Sequence, residues 1–253
     1  MYNISDYDFF DLGAKKGGSI DFALKRLGGK KGLGIDIKKK NVLLTRKNGY
    51  DCLHGDATKL DFPDNSFRFV VMSHFLEHLP DLNTVEKVIK NCSRISKDFL
   101  FIQGPFFDAD EYLKKQGLKL YWSDFSGHPT HLDSSDFISI LKNIGLKKYT
   151  IKVKKPIDNS FNPAIHPISS PQDQHEYENG KHPRKEFVKF EKPVFQELIC
   201  YVQLRKLKNW NDILLAKKSA ITYIESPLLL NFLQRFLYKT FGFFPSRAFN
   251  DYK

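Results

Sequence analysis

A chain of 253 residues with 41% hydrophobic and 27% charged residues is long enough to bury a sizeable core, and its mean hydropathy of -0.42 excludes a collagen, a coiled coil and a polytopic membrane protein. The three cysteines, Cys52, Cys92 and Cys200, are odd in number and far apart, which argues against a disulfide framework or a thiolate zinc site and points to a reducing, cytoplasmic compartment. The net charge of +11 is uneven, with +4 in residues 1–150, +1 in 151–200 and +6 in 201–253, where 11 aromatic residues also fall.

The chain opens Met-Tyr-Asn-Ile-Ser-Asp, without the basic and apolar stretches of a secretory signal, and no apolar run approaches the roughly 18 residues of a membrane span. In chain order, short apolar runs predict strands at residues 7–12, 32–37, 51–54, 67–73, 99–104 and 146–154. Amphipathic stretches between them predict helices at 19–27, 38–47, 82–95, 108–116 and 134–143. Asp81 or Asn83 can start the third helix, the Ser-Ser-Asp at 134–136 supplies N-cap oxygens for the fifth, and Gly145 closes it. This alternation specifies an α/β fold with a mostly parallel sheet and helices on both faces. Residues 155–193 carry six prolines and predict an ordered loop insertion, and 194–204 predicts a further strand. From residue 207 the pattern reads as helical. The expected organisation is therefore a domain over 1–204, containing the 155–193 insertion, and a basic aromatic helical appendage over 205–253.

The run Asp-Phe-Phe-Asp-Leu-Gly-Ala-Lys-Lys-Gly-Gly-Ser at residues 8–19 leaves a strand and opens a helix, so its glycines let a ligand approach the backbone. A tight turn without a ligand has the same local signature. Its context narrows the choice. The second strand ends in Gly34-Ile35-Asp36, placing a carboxylate where vicinal ribose hydroxyls can donate to it, Gly55-Asp56-Ala57 follows the third, and Phe-Pro-Asp-Asn-Ser-Phe at 62–67 leads into the fourth. With Asp11, Gly13 and Gly17 as Asp-x-Gly-x-x-x-Gly, Asp36, Asp56 and the following His-Phe-Leu-Glu-His-Leu, residues 7–154 resemble the class I S-adenosylmethionine-dependent methyltransferases. The resemblance is to the broad group that O-methylates small molecules, quinones, sugars and RNA. It implies a Rossmann-like, seven-stranded, mostly parallel sheet and S-adenosylmethionine held by Asp11, Gly13, Ala14, Gly17, Asp36, Ile37, Asp56, Ala57 and Ser73. Two positions depart from the pattern: Lys15 replaces the central glycine, and Arg68 stands where an acid is expected. Lys15 also disfavours a nicotinamide dehydrogenase.

The fourth strand delivers Ser73-His74-Phe75-Leu76-Glu77-His78 to the carboxyl edge of the sheet. If this segment is helical, His74, Glu77 and His78 share one face and make half a metal site, which His128 and His131 of Gly-His-Pro-Thr-His-Leu could complete. The pattern resembles the metal-dependent methyltransferases that modify the terminal 2'-hydroxyl of small RNAs. That resemblance assigns His74, Glu77, His78 and His131 as catalytic residues and as ligands of a divalent ion, with one free histidine as general base. In many relatives the same Glu-His pair only ties loops together. A mixed His/Glu donor set suits zinc, manganese or iron(II) better than magnesium.

Almost nothing precedes the first strand, so the acceptor pocket is expected from residues 104–132 and the insertion. Phe106, Phe107, Tyr121, Trp122 and Phe125, with His166, Gln172, Asp173, His175 and Tyr177, suit a sugar or other polyhydroxylated acceptor, and suit an interface core equally. The histidines at 166, 175 and 182 are expected to pin loops. Apolar residues with Arg235 and Lys239 over 227–249 allow an amphipathic helix on a membrane surface, which would favour a lipid-linked glycan, or a helix packed on the domain or on a dimer partner. The expectation is therefore a cytoplasmic O-methyltransferase of a sugar or glycan, with peripheral membrane contact through 226–253 as one of the two readings of that segment. RNA 2'-O-methylation ranks behind it because only +4 of the charge lies in residues 1–150. A degenerate domain that only binds a partner is the remaining alternative.

Overall fold

The computed structural model describes residues 2–226, and the expected helix over 227–249 lies outside them. In chain order the domain comprises β1 (Phe9–Leu12), α1 (Gly18–Arg26), β2 (Gly32–Asp36), α2 (Lys39–Lys47), β3 (Asp51–His54), β4 (Phe67–Ser73), α3 (Leu82–Ile95) and β5 (Ser96–Pro105). There follow α4 (Asp110–Lys115), β6 (Leu118–Leu120), α5 (Ser134–Asn143), β7 (Tyr149–Pro156), β8 (Ile165–Pro167), β9 (Phe195–Gln203), α6 (Trp210–Leu214) and β10 (Ile221–Glu225).

The main sheet has the order β10-β7-β9-β5-β4-β1-β2-β3. Neighbours from β5 through β4, β1 and β2 to β3 are parallel, whereas β9 is antiparallel to both β5 and β7, and β10 to β7. The Rossmann-like architecture is as expected from the sequence, with eight strands in place of seven. The eighth, β10, comes from the segment read as helical. Its Ile-Thr-Tyr-Ile-Glu sequence is rich in β-branched and aromatic side chains and takes the edge beside β7.

Alternation along the strands divides the core between the two faces. Phe9, Phe69 and Phe99 stack across β1, β4 and β5, with centroids 4.9 and 4.6 Å apart, under α1, α2 and α6. Phe10, Leu12, Val70, Met72, Leu100 and Ile102 point the other way, against α3 and α5. Each fully buried Leu, Val or Phe here contributes roughly 1.5 to 3 kcal/mol. The Asp81 side chain caps α3 by accepting from the Thr84 N–H, as anticipated. For α5 the N-cap is Asp133, one residue before the expected Ser-Ser-Asp, and it forms a capping box with Asp136.

The insertion is ordered. Its β8 pairs antiparallel with β6. The buried Ser160 hydroxyl donates to the Glu186 carbonyl and accepts from the Val188 N–H, and the Lys185 ammonium donates to the Asn162 and Ile165 carbonyls. Asp173 anchors the insertion to the preceding loop by accepting from the Ser126 N–H and hydroxyl. No helix among the described residues is long and apolar enough to cross a membrane.

Candidate functional site

The sheet order reverses direction at β1, which has β2 on one side and β4 on the other, so the crevice beyond their carboxyl ends is where open α/β sheets take ligands. Two loops meet there: residues 13–17 after β1 and 74–78 after β4.

In the first loop, Gly13 has φ +72° and Gly17 φ +87°, conformations that glycine adopts at no steric cost. A Cβ on Gly13 would lie 2.9 Å from Phe75 Cδ2, so the glycine also lets the second loop close on the first. Lys15 takes φ +53°, the left-handed conformation that its glycine-patterned position demands, and its side chain points to solvent. The Gly13 and Ala14 N–H groups donate to the Ile35 carbonyl, and the Lys15 N–H donates to Asp36 Oδ2 at 3.0 Å.

Asp36 is 7% exposed. Its Oδ2 also accepts from Asn41 Nδ2 at 3.0 Å, and among the described residues its Oδ1 accepts only from the Lys38 N–H at 2.8 Å. Oδ1 thus has a lone pair left for one hydroxyl, and a vicinal diol would require Asn41 to release Oδ2. Asp11 is fully buried. Its Oδ2 accepts from the Ser19 hydroxyl at 2.7 Å, its Oδ1 has no partner among the described residues, and burial lifts its pKa to about 7 against the opposing Ser19 hydrogen bond. Asp56 accepts from the Thr58 hydroxyl and N–H, which hold its carboxyl below the usual range. Ile37 is 65% exposed beside it, Ala57 is nearly buried, and Ser73 ends β4 half-buried.

The other departure, Arg68, lies far from this crevice. Its guanidinium is bidentate to Asp8 at 2.9 and 3.0 Å and also donates to the Gly28 carbonyl, pinning the amino end of β4 to β1.

The second loop is not the helix that would align His74 with Glu77 and His78. It is a short 3-10 turn over Leu76–His78, and His74 stands outside it at φ +51°. His74 Nδ1 nevertheless lies 3.4 Å from Glu77 Oε1. The Thr130 hydroxyl, buried, donates to the Leu79 carbonyl at 2.7 Å and its N–H to the Glu77 carbonyl at 3.4 Å, stapling the 127–131 loop onto the turn.

This staple brings His128, rather than His131, to Glu77 and His78. One ligand atom from each of Glu77, His78 and His128 lies within 4.8 Å of the others, and the two imidazole centroids are 4.9 Å apart. His78 Nδ1 lies 2.6 Å from the Gly127 carbonyl and His128 Nδ1 2.9 Å from the Trp122 carbonyl. A carbonyl can only accept, so both Nδ1 atoms carry a proton, and a neutral ring held this way keeps its lone pair at Nε2. Burial holds the His128 pKa below its ordinary value, which keeps this ring neutral near pH 7. His131 turns away, its Nδ1 3.0 Å from Asp110 Oδ2 and its ring stacked on Phe107 at 4.5 Å. Both histidines stand in one short motif, and the sequence offered no rule for choosing between them.

Of the aromatics expected to line an acceptor pocket, Phe106, Phe107 and Trp122 are buried, the Trp122 indole donating to the Phe106 carbonyl. Half-buried Tyr121 and Phe125 cluster with the exposed His175 where the insertion meets the loop that bears His128, with ring centroids 5.6 to 6.5 Å apart. His166 is buried, and desolvation lowers its pKa to about 4; His182 closes the 178–182 turn. Asn41, Phe75 and Thr130 shape the site without having stood out in the sequence.

The family described as Methyltransferase domain matches residues 10–98. A SAM dependent methyltransferase from Archaeoglobus fulgidus is similar in structure, at 15% identity over 78% of this chain and 86% of that one, with a TM-score of 0.55. A putative methyltransferase from Bacillus halodurans covers 79% and 93% of the two chains at 15% identity, with a TM-score of 0.52. At that identity the likeness shows the fold. No curated protein matches the sequence.

Proposed function

We propose, from the premise that this chain carries a class I S-adenosylmethionine-dependent methyltransferase domain, that it methylates a hydroxyl oxygen of a sugar, glycan or similar polyhydroxylated acceptor. The residues present fit the cofactor. Asp36 keeps acceptor capacity for a ribose hydroxyl at the end of β2, Asp56, Ala57 and Ile37 flank it, and the orphaned Asp11 Oδ1 is a buried acceptor beneath the glycine loop. When bound, S-adenosylmethionine supplies an activated methyl group for a nucleophilic oxygen.

The observation that carries the oxygen reading is the convergence of two imidazoles, each with Nδ1 on a backbone carbonyl, beside a buried carboxylate. A sugar hydroxyl is a weak nucleophile until a base takes its proton. His128, neutral and with Nδ1–H fixed on a carbonyl, can accept that proton at Nε2, and the nearby Glu77 carboxylate stabilises the resulting imidazolium. The cluster of Tyr121, Phe125 and the exposed His175 offers flat apolar surface with polar edges for the acceptor.

A second reading is favoured by the convergence of Glu77, His78 and His128: the same atoms can hold a divalent ion. Two imidazoles with Nδ1–H on backbone carbonyls and one carboxylate form a ligand set suited to zinc, manganese or iron(II). The ion would lower the pKa of the acceptor hydroxyl in place of a histidine base.

Calorimetry with S-adenosylhomocysteine is expected to show binding that Asp36→Ala weakens by roughly 10- to 100-fold. Transfer of labelled methyl should then go to polyhydroxylated acceptors rather than RNA, and His128→Ala should cut turnover by about 100-fold with unchanged cofactor affinity. His131→Ala should change turnover by less than about threefold. Equal losses in the two histidine variants would remove the assignment, and label found only in RNA would replace the acceptor. Inactivation by a chelator, reversed by manganese or zinc, selects the ion over the histidine base.

A further inference from the structure

The sequence concentrates lysine in two segments beside the cofactor edge. Residues 12–18 and 37–50 contain seven Lys or Arg and no Asp or Glu. Arg46 is spent internally, its guanidinium donating twice to the Cys52 carbonyl at 3.0 and 2.7 Å. The other six, Lys15, Lys16, Lys38, Lys39, Lys40 and Lys47, are exposed, and none has a carboxylate within 4 Å among the described residues. Of the acids that flank these segments, Asp11 is buried, Asp36 accepts from the Lys15 and Lys38 N–H groups, and Asp21, Asp51 and Asp56 are paired with Lys25, Lys31 and Lys59.

The two segments are tied together. The Thr45 hydroxyl donates to the Lys15 carbonyl at 3.1 Å and Asn48 Nδ2 to the Lys16 carbonyl at 2.8 Å, fastening the glycine loop along α2. Helical periodicity then decides which residues of α2 face outward. Val42 and Thr45 face the core, so the opposite ridge of α2 is Lys40, Leu43, Leu44 and Lys47, at spacings of three, four and seven. Leu43 is 58% exposed and Leu44 39%. An outward ridge of a soluble helix is normally polar throughout, and here leucines sit between unpaired lysines.

We propose that this face of α2, with Lys15 and Lys16 beside it, docks on an anionic lipid surface. Charge complementarity selects the occupant: the unpaired Lys40 and Lys47 ammonium groups on the ridge, with four more in the same two segments, match a sheet of phosphate headgroups, and the two leucines reach the acyl boundary beneath them. A folded acidic partner would meet long, mobile lysines with little apolar area to bury, whereas a bilayer needs no shape match. The proposal uses none of residues 227–253 and does not depend on the acceptor proposed above.

The test is sedimentation of the full chain with phosphatidylcholine vesicles, with and without phosphatidylglycerol, at physiological salt. Wild-type protein should bind only the phosphatidylglycerol vesicles. Leu43→Glu/Leu44→Glu and Lys40→Glu/Lys47→Glu should each lower the partition coefficient at least about tenfold. Leu43→Ser/Leu44→Ser serves as the milder replacement if the glutamates impair folding. Thermal midpoint and S-adenosylhomocysteine affinity should match wild type in every variant, which separates lost docking from a lost fold or cofactor site. Wild-type binding that all the variants retain overturns the proposal, as does absence of binding to anionic vesicles. Loss in the lysine variant alone, with RNA displacing the vesicles, also overturns it and assigns the face to a nucleic acid.

Discussion

Asp11 illustrates how a single buried carboxylate joins stability to the site. It is enclosed, has one hydrogen bond from Ser19 and an unpaired oxygen, and its pKa stands at about 7 against an ordinary 3.8. Between those values the native state holds a proton that the unfolded chain has released. The contribution of this group to stability is therefore present at low pH and is lost as pH rises through 7. Asp11→Asn keeps the shape and removes the titration, so its advantage over wild type should grow from pH 5 to pH 8 by on the order of a few kcal/mol. Thermal melts at the two pH values measure it, and parallel pH dependences in the two proteins would refute the assignment. The sequence already placed Asp11, Asp36 and Asp56 at strand ends, because residues at strand ends are fixed by short-range pattern. It could not show that Arg68 is a bidentate partner of Asp8, since that pairing joins strands through the fold.

The glycine loop is the element whose conformation was most legible, and Gly17 and Gly28 separate the reasons a glycine is needed. Both have positive φ, +87° and +70°. A Cβ on Gly17 would fall 2.4 Å from Tyr50 Cδ2, whereas one on Gly28 meets nothing within 4 Å. Gly28→Ala should cost about 1 kcal/mol from backbone strain alone. Gly17→Ala should cost roughly 2 to 4 kcal/mol and weaken S-adenosylhomocysteine binding, because Tyr50 or the loop must move. Denaturant melts of the two variants give the difference, and equal losses would mean Tyr50 yields freely. The loop after β4 was less legible. Helical spacing put His74, Glu77 and His78 on one face, yet the segment holds only a 3-10 turn. The position of His128 depends on Thr130 reaching the Leu79 carbonyl across 51 residues, which no local period encodes.

At the scale of the molecule, the strand order was readable because parallel strands alternate with helices, and the closure of the sheet was not. Residues 205–226 were read as the start of an appendage, on their basic and aromatic composition. Within the described residues, Trp210, Ile213 and Ala216 instead pack under Phe69, Phe99 and Tyr201, and β10 covers the edge of β7. The Ser226 hydroxyl accepts from the Tyr149 N–H, and the Ser226 N–H donates to the Tyr149 carbonyl at 2.9 Å, fixing the end of β10 on the start of β7. A chain ending at residue 204 would leave a long bare strand edge in β7 and uncover three buried side chains, which together contribute on the order of 5 kcal/mol. That loss is comparable to the whole stability of a typical domain. The 1–204 chain is therefore expected to aggregate on expression or to melt at least about 10 °C below the 1–226 chain. Size-exclusion chromatography and thermal melts compare them directly. A monomeric 1–204 chain with an unchanged melting temperature would place the domain boundary at 204 after all and make β10 an accessory strand.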